Sequence, residues 1–249
     1  MLRVENVSKH FGGVAAVTGC TFHVEPGTVT ALIGPNGAGK TTVFDIITGL
    51  IKLDTGHVFL GEQNLTNKPS HVVANAGISR TFQQVRLFRN LTIIDHLLMA
   101  KDNDDMNLLK NVWRHPPIDH DFFSAHLERF QLKKPLTTLV ADLSYGQRKL
   151  LQLAMATLKP HHLLLLDEPV AGVNAVVQQE IESLLLAMKA SPTSGSDSVE
   201  TMLIVEHDMG FVKRLADHVV VMDAGRVLVA GHPDTALRDE RVLEAYLGL

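Results

Sequence analysis

The chain has 249 residues, 45% of them hydrophobic and 20% charged, and a formal net charge of −4. That composition excludes a collagen, a disordered tail and a disulfide-stapled mini-protein, and the length suits one to two domains around a sizeable core. The longest unbroken apolar runs, such as residues 163–166 and 219–222, are a few residues long. A membrane-spanning helix needs about 20, so no span is expected. Cys20 is the single cysteine, which removes internal disulfides and cysteine metal clusters. The N-terminus, M-L-R-V-E-N-V, has no apolar secretion core, and a cytoplasmic location is expected. A weakly acidic chain argues against nucleic acid as a partner. The mean hydropathy of +0.11 is slightly apolar, which raises the expectation that some apolar surface belongs to a partner protein.

In chain order, residues 2–7 and 19–24 read as strands, followed by a Pro26-Gly27 turn. Residues 28–33 read as a buried strand entering a Gly-rich turn. Residues 41–50 read as a helix, with Val43, Ile46, Ile47 and Leu50 at helical spacing. A short strand at 58–60 follows Gly56. From about 85 to 158 helical spacing dominates and strands disappear, with a polar break at 101–107. Within that stretch, Leu150, Leu151, Leu153, Ala154 and Leu158 mark a core-facing helix over 147–158, stopped by Pro160. Residues 163–166 are too uniformly apolar to alternate, as parallel sheets require. A helix at 175–190, a polar loop at 191–198, strands at 201–205 and 219–222 flanking a helix at 209–215, and an outer helix at 235–247 complete the pattern. The expected body is a parallel α/β sheet with early antiparallel strands and an inserted helical arm.

Three segments carry chemistry. Gly34, Pro35, Asn36, Gly37, Ala38, Gly39, Lys40, Thr41 and Thr42 fit the phosphate-loop pattern between a strand and a helix. Small residues let backbone N–H groups curl round an anion. Lys40 adds a cation, Thr41 offers a hydroxyl to Mg²⁺, and the helix start faces the same charge. Second, the run 163–166 ends in Asp167-Glu168. There Asp167 is suited to hold Mg²⁺, directly or through water, and Glu168 to polarise an attacking water as general base. Third, Leu143-Ser144-Tyr145-Gly146-Gln147 precedes the amphipathic helix. Ser144 and the N–H groups near Gly146 suit an anion, but taken alone the motif is better explained by a plain N-cap by Ser144.

The order of phosphate loop, L-S-Y-G-Q, four leucines with D-E-P, and His207 after an apolar strand resembles the nucleotide-binding subunit of ATP-binding cassette (ABC) transporters. L-S-Y-G-Q is similar to that family's L-S-G-G-Q signature, with Tyr145 at the first glycine. The resemblance covers essentially the whole chain. It implies a P-loop NTPase (RecA-like) core with an antiparallel β subdomain over 1–84 and 159–249, and an inserted α-helical subdomain over 85–158. By position it assigns Phe11 to stacking on adenine, although a core aromatic is the plain alternative. It assigns Gln83 to Mg²⁺, water and relay to a membrane subunit, and His207 to the γ-phosphate. It implies that Ser144, Gly146, Gln147 and Asn174 line an ATP site shared by two cassettes packed head to tail. Asn174 stands where many members have Asp, which weakens a carboxylate-dependent reading of its loop. Val85, Leu87 and Phe88 are expected to form either a groove for a permease helix or part of the arm's core.

The segment at 80–92, with F-G-G at 11–13, D-E-P-V-A-G-V-N and V-E-H-D-M, narrows the resemblance to the ATP-binding subunits of branched-chain amino acid importers. Urea and short-chain amide importers share much the same motifs. The expected cofactors are ATP and Mg²⁺. The expected partners are integral membrane permease subunits, a second ATP-binding subunit and, indirectly, a solute-binding protein. The expected location is peripheral, on the cytoplasmic face of the inner membrane. Lipid exporters such as those for lipopolysaccharide carry a similar cassette. DNA-repair cassettes insert long coiled coils between phosphate loop and signature, and no sustained heptads occur here. Translation ATPases of the family usually carry two cassettes in one chain. Intact Lys40, Asp167, Glu168 and His207 argue against an inactive structural subunit.

Overall fold

The computed structural model describes residues 2–101, 118–190 and 199–247. The polar break expected after Lys101 and the loop expected at 191–198 lie outside the described residues. Contacts divide the chain into two compact units. One is Met1–Arg80, His161–Pro169 and Leu185–Leu249, and the other is Thr81–Pro160 and Val170–Leu184.

The first unit holds two sheets. In the smaller, β1 (Leu2–Phe11) pairs antiparallel with β2 (Val14–Val24) and with β4 (Thr55–Leu60), and β5 (Gln63–Asn64) adds an edge to β4. β1 and β2 both run further than the apolar pattern predicts. Of their extensions, residues 8–11 and 14–18, only Val17 is buried, so they carry too little inside–outside alternation to read. Register shifts after Val4 keep Val7 on the buried side.

The larger sheet has the order β10 (Arg226–Gly231), β9 (His218–Asp223), β3 (Val29–Ile33), β8 (Met202–Val205), β7 (Leu163–Asp167), β6 (Ile78–Arg80). It is parallel from β9 to β6, with β10 antiparallel at one edge. β3, β7 and β8 are buried at every position, as strands covered on both faces must be. On one face, Leu32, Leu165, Val205 and Met222 join Val43 and Phe44 of α1 (Lys40–Ile47) and Leu2 and Val58 of the small sheet. On the other, Ala31, Ile33 and Val221 receive α7 (Met209–Leu215) through Val212, α8 (Pro233–Ala236) through Ala236 and α9 (Glu240–Leu247) through Val242. The tail expected as one helix is therefore two. Asp239 accepts the Arg241 N–H at 3.0 Å and opens α9 as a fresh start.

Cys20 is fully buried on β2, and burial pushes its thiol up to about 12. The thiolate is the reactive form. Native protein at neutral pH is therefore expected to resist thiol reagents, with one equivalent labelled only after denaturation. Rapid labelling of native protein would contradict that placement.

The second unit is helical. α3 (Ile93–Lys101) and α4 (His120–Arg129) pack on α5 (Tyr145–Ala156), with Leu97, Phe123, Leu127, Leu151 and Ala154 all buried. α6 (Ala175–Ala190) belongs to this unit as far as Leu184. An isolated antiparallel bridge joins Thr92 to Leu139.

Candidate nucleotide site

β3 ends at Ile33, residues 34–39 form a loop, and α1 begins at Lys40. No side chain caps α1, and no residue of its first turn is acidic. The helix therefore presents its positive end without a built-in counter-charge. Gly39 sits at φ 97°, and a Cβ there would lie 2.5 Å from the Ala16 carbonyl oxygen. Only glycine fits that backbone. Gly39→Ala is expected to cost on the order of 1–3 kcal/mol of stability, read as a lowered melting temperature. An unchanged melting temperature would contradict the contact. Lys40 is 6% exposed. Its Nζ donates to the carbonyls of Gly34 at 2.7 Å and Pro35 at 2.9 Å. Burial pulls the Lys40 ammonium below the usual lysine range, while the carboxylates of Glu168 and Asp167 oppose that shift. Asn36, Gly37 and Thr41 are exposed, Pro35 and Thr42 half-buried, and Ala38 buried.

The continuous apolar strand β7 delivers two carboxylates to its C-terminal end. Asp167 is 3% exposed. Burial raises its carboxyl, and the Arg80 guanidinium, donating at 3.0 Å, opposes the rise. Glu168 adopts φ 48°, an uncommon conformation for a non-glycine residue that costs of order 1 kcal/mol and concentrates at functional sites. Its N–H donates to the Val205 carbonyl at 2.9 Å. Its Oε1 lies 2.6 Å from Nε2 of His207. The first unit thus contains the phosphate loop, Asp167, Glu168 and His207, with the Lys40 ammonium under the influence of both carboxylates. Phe11 closes β1 and is 45% exposed, with the Lys9 ammonium 5.4 Å from its ring centre. It is therefore not a core aromatic.

The other expected residues belong to the second unit. Gln83 is exposed, and its carbonyl accepts Nζ of the buried Lys149 at 2.8 Å. Gln152 Nε2 donates to the Phe82 carbonyl at 3.1 Å. Ser144 caps α5 in a reciprocal box with Gln147: Ser144 Oγ accepts the Gln147 N–H at 3.2 Å, and Gln147 Oε1 accepts the Ser144 N–H at 3.0 Å. Gly146 is buried where a Cβ would meet Val177 at 2.8 Å, so α5 and α6 approach closely there. Asn174 Oδ1 accepts the Val177 N–H at 3.0 Å. That capping role suits Asn as well as Asp, so the departure from Asp costs nothing locally. Val85 and Leu87 are half-buried and Phe88 is 64% exposed, so Phe88 is not part of a core. The Phe88 N–H donates to Nε2 of the buried His96 at 2.9 Å.

Motif reading missed Arg80, His96, Lys149 and Gln152. For Lys149 and Gln152 a signal existed, namely two polar residues spaced i, i+3 within an apolar helical run. For Arg80 and His96 the contacts are long-range or set by a local turn, and no periodic pattern marks them.

The donors assigned to Mg²⁺ within the first unit are a Thr41 hydroxyl and an Asp167 carboxylate. Both are hard oxygen ligands of the kind that binds Mg²⁺ together with phosphates. Among the described residues no three His, Cys, Asp or Glu side chains gather as a candidate metal cage.

Comparison with known proteins identifies the class. The chain belongs to the ABC transporter family, whose model matches residues 17–171. It is an ATP-hydrolysing cassette of that family. It is 34% identical over its full length to the high-affinity branched-chain amino acid transport ATP-binding protein BraF of Pseudomonas aeruginosa, covering 98% of that protein. It is 33% identical to the corresponding LivG of Escherichia coli, again over 100% of this chain and 98% of the relative. Among solved structures, a nucleotide-free ATP-binding cassette from an ABC transporter superposes with a TM-score of 0.84 at 30% identity, covering 100% of this chain and 99% of that one. No helix among the described residues is long and apolar enough to cross a membrane.

Proposed function

We propose that this chain powers an importer of branched-chain and other hydrophobic amino acids. The observation that carries the reading is end-to-end similarity to BraF and LivG, both named for branched-chain amino acid transport. Residues 1–84 and 159–249 act as the catalytic core and 85–158 as the helical arm, with residues 81–84 and 170–184 grouping with the arm by contacts. Phe11 stacks on the adenine. The N–H groups of residues 34–42 and the Lys40 ammonium hold the phosphates. Thr41, Gln83 and Asp167 hold Mg²⁺, which supplies charge neutralisation at the outer phosphates. Glu168 takes a proton from the attacking water. His207, bonded to its carboxylate, orients Glu168 and contacts the γ-phosphate. Ser144, Gly146, Gln147 and Asn174 meet the nucleotide held by a second cassette, identical or related. ATP binds the closed pair better than the open one, and hydrolysis removes that preference.

The chain works at the cytoplasmic face of the inner membrane, bound to permease subunits that receive Phe88 and its neighbours and that serve a solute-binding protein. The complex purified from membranes is expected to contain those permeases and to raise its ATPase rate with leucine-loaded binding protein. Stimulation by urea or short amides alone, or by a lipid, would replace the cargo assignment.

A further inference from the structure

Arg80 has no part in the roles set out above, yet its guanidinium bonds directly to Asp167. It closes β6, which pairs parallel with β7 at Arg80↔Leu165. The side chain is 8% exposed. One fork nitrogen, Nη2, donates to Asp167 Oδ2 at 3.0 Å. The other, Nη1, donates to Asp45 Oδ1 on α1 at 2.6 Å and to Thr48 Oγ1, at the C-cap of α1, at 3.0 Å. The guanidinium carbon lies 5.6 Å from the centre of the Phe44 ring. One side chain on β6 therefore ties the end of β7 to α1. Asp45 follows Thr41 by four residues, so the two share a face of α1.

We infer that Arg80 is a positioning residue that fixes the Asp167 carboxylate relative to the Thr41 hydroxyl, and thereby sets the Mg²⁺ dependence of nucleotide binding. The inference rests on the reading of Thr41 and Asp167 as the Mg²⁺ donors. These two oxygens lie on different elements, and Mg²⁺ tolerates little departure from octahedral geometry. A tie between their elements must then show in metal affinity. Arg suits this place because a planar fork serves two carboxylates at once, whereas a lysine ammonium is a single point. Asp167, Asp45 and Thr48 all lie outside residues 34–40, so the loss of Arg80 is expected chiefly in the metal-dependent part of nucleotide binding.

The test is titration calorimetry of ATP into the purified full-length chain, in chelator and across graded Mg²⁺, for wild type, Arg80→Met, Arg80→Lys and Asp167→Asn. Arg80→Met is expected to need about tenfold more Mg²⁺ to reach the high-affinity state, the usual effect of losing a group that orients a metal ligand. Its affinity in chelator is expected to match wild type. Arg80→Lys keeps the buried charge without the fork, and a smaller shift in the same direction is expected. If Arg80→Met does not fold, Arg80→Lys decides. Wild-type Mg²⁺ dependence in the Arg80 variants, alongside a shifted Asp167→Asn, overturns the inference alone. An unshifted Asp167→Asn overturns the metal-site reading beneath it. Equal losses in chelator and in Mg²⁺ would make Arg80 a purely structural residue.

Discussion

Glu168→Gln is expected to lower the ATPase rate by roughly 10²–10⁴-fold, the usual contribution of a positioned general base, while ATP binding persists. The amide keeps the size of the carboxylate and retains a hydrogen-bonding oxygen for His207 Nε2, now 2.6 Å from Glu168 Oε1. What it loses is the capacity to accept a proton from water. The backbone at φ 48° is untouched by the change, so the side chain stays where β7 and the Val205 carbonyl hold it. With hydrolysis blocked and binding intact, the ATP-bound state accumulates, visible as a nucleotide-dependent dimer by gel filtration or light scattering. Turnover near wild type would remove Glu168 from the role of base. Reduced ATP affinity in place of reduced turnover would assign it to binding.

Lys40→Ala is expected to weaken ATP binding on the order of 100-fold, corresponding to about 2–3 kcal/mol, the value of hydrogen bonds to a charged group. Two losses combine. The phosphates lose their cation, and the loop loses its internal brace, because Lys40 Nζ ties the carbonyls of Gly34 and Pro35 together. The deficit is expected in chelator as well as in Mg²⁺, because Lys40 acts on the phosphates themselves. That separates it from the Arg80 variants, which are expected to lose only the metal-dependent part. Nucleotide affinity equal to wild type would refute the phosphate-loop reading.

The parallel sheet was the most legible part of the fold, because strands buried on both faces must be uniformly apolar. Residues 163–166 announce β7, and Asp167-Glu168 stand out by interrupting the run. The phosphate loop was legible because its backbone demands glycine, as the Ala16 carbonyl 2.5 Å from a Cβ at Gly39 illustrates. The short elements β5, β6, β10, α2 (Ser70–Asn75) and α8 were not legible. Segments of two to six residues hold too few positions to display a period, and unlike β3, β7 and β8 these are not uniformly apolar. The split of the tail escaped the reading because its cause is one local cap at Asp239. Arg80 escaped it because its partners, Asp45 and Asp167, stand 35 and 87 residues away in sequence. Such a contact exists only once three elements have packed. Ser144 remained ambiguous for a physical reason as well. The capping box that explains it locally uses the same helix terminus that favours an anion.

The most direct test of the central claim is transport itself. The complex containing this chain, reconstituted in proteoliposomes with its solute-binding protein, is given radiolabelled leucine and supplied with ATP on the side where this chain is bound. The account predicts ATP-dependent leucine movement across the bilayer, abolished when this chain carries Glu168→Gln. Leucine transport unaffected by that substitution, or ATP hydrolysis that moves no amino acid, would contradict it.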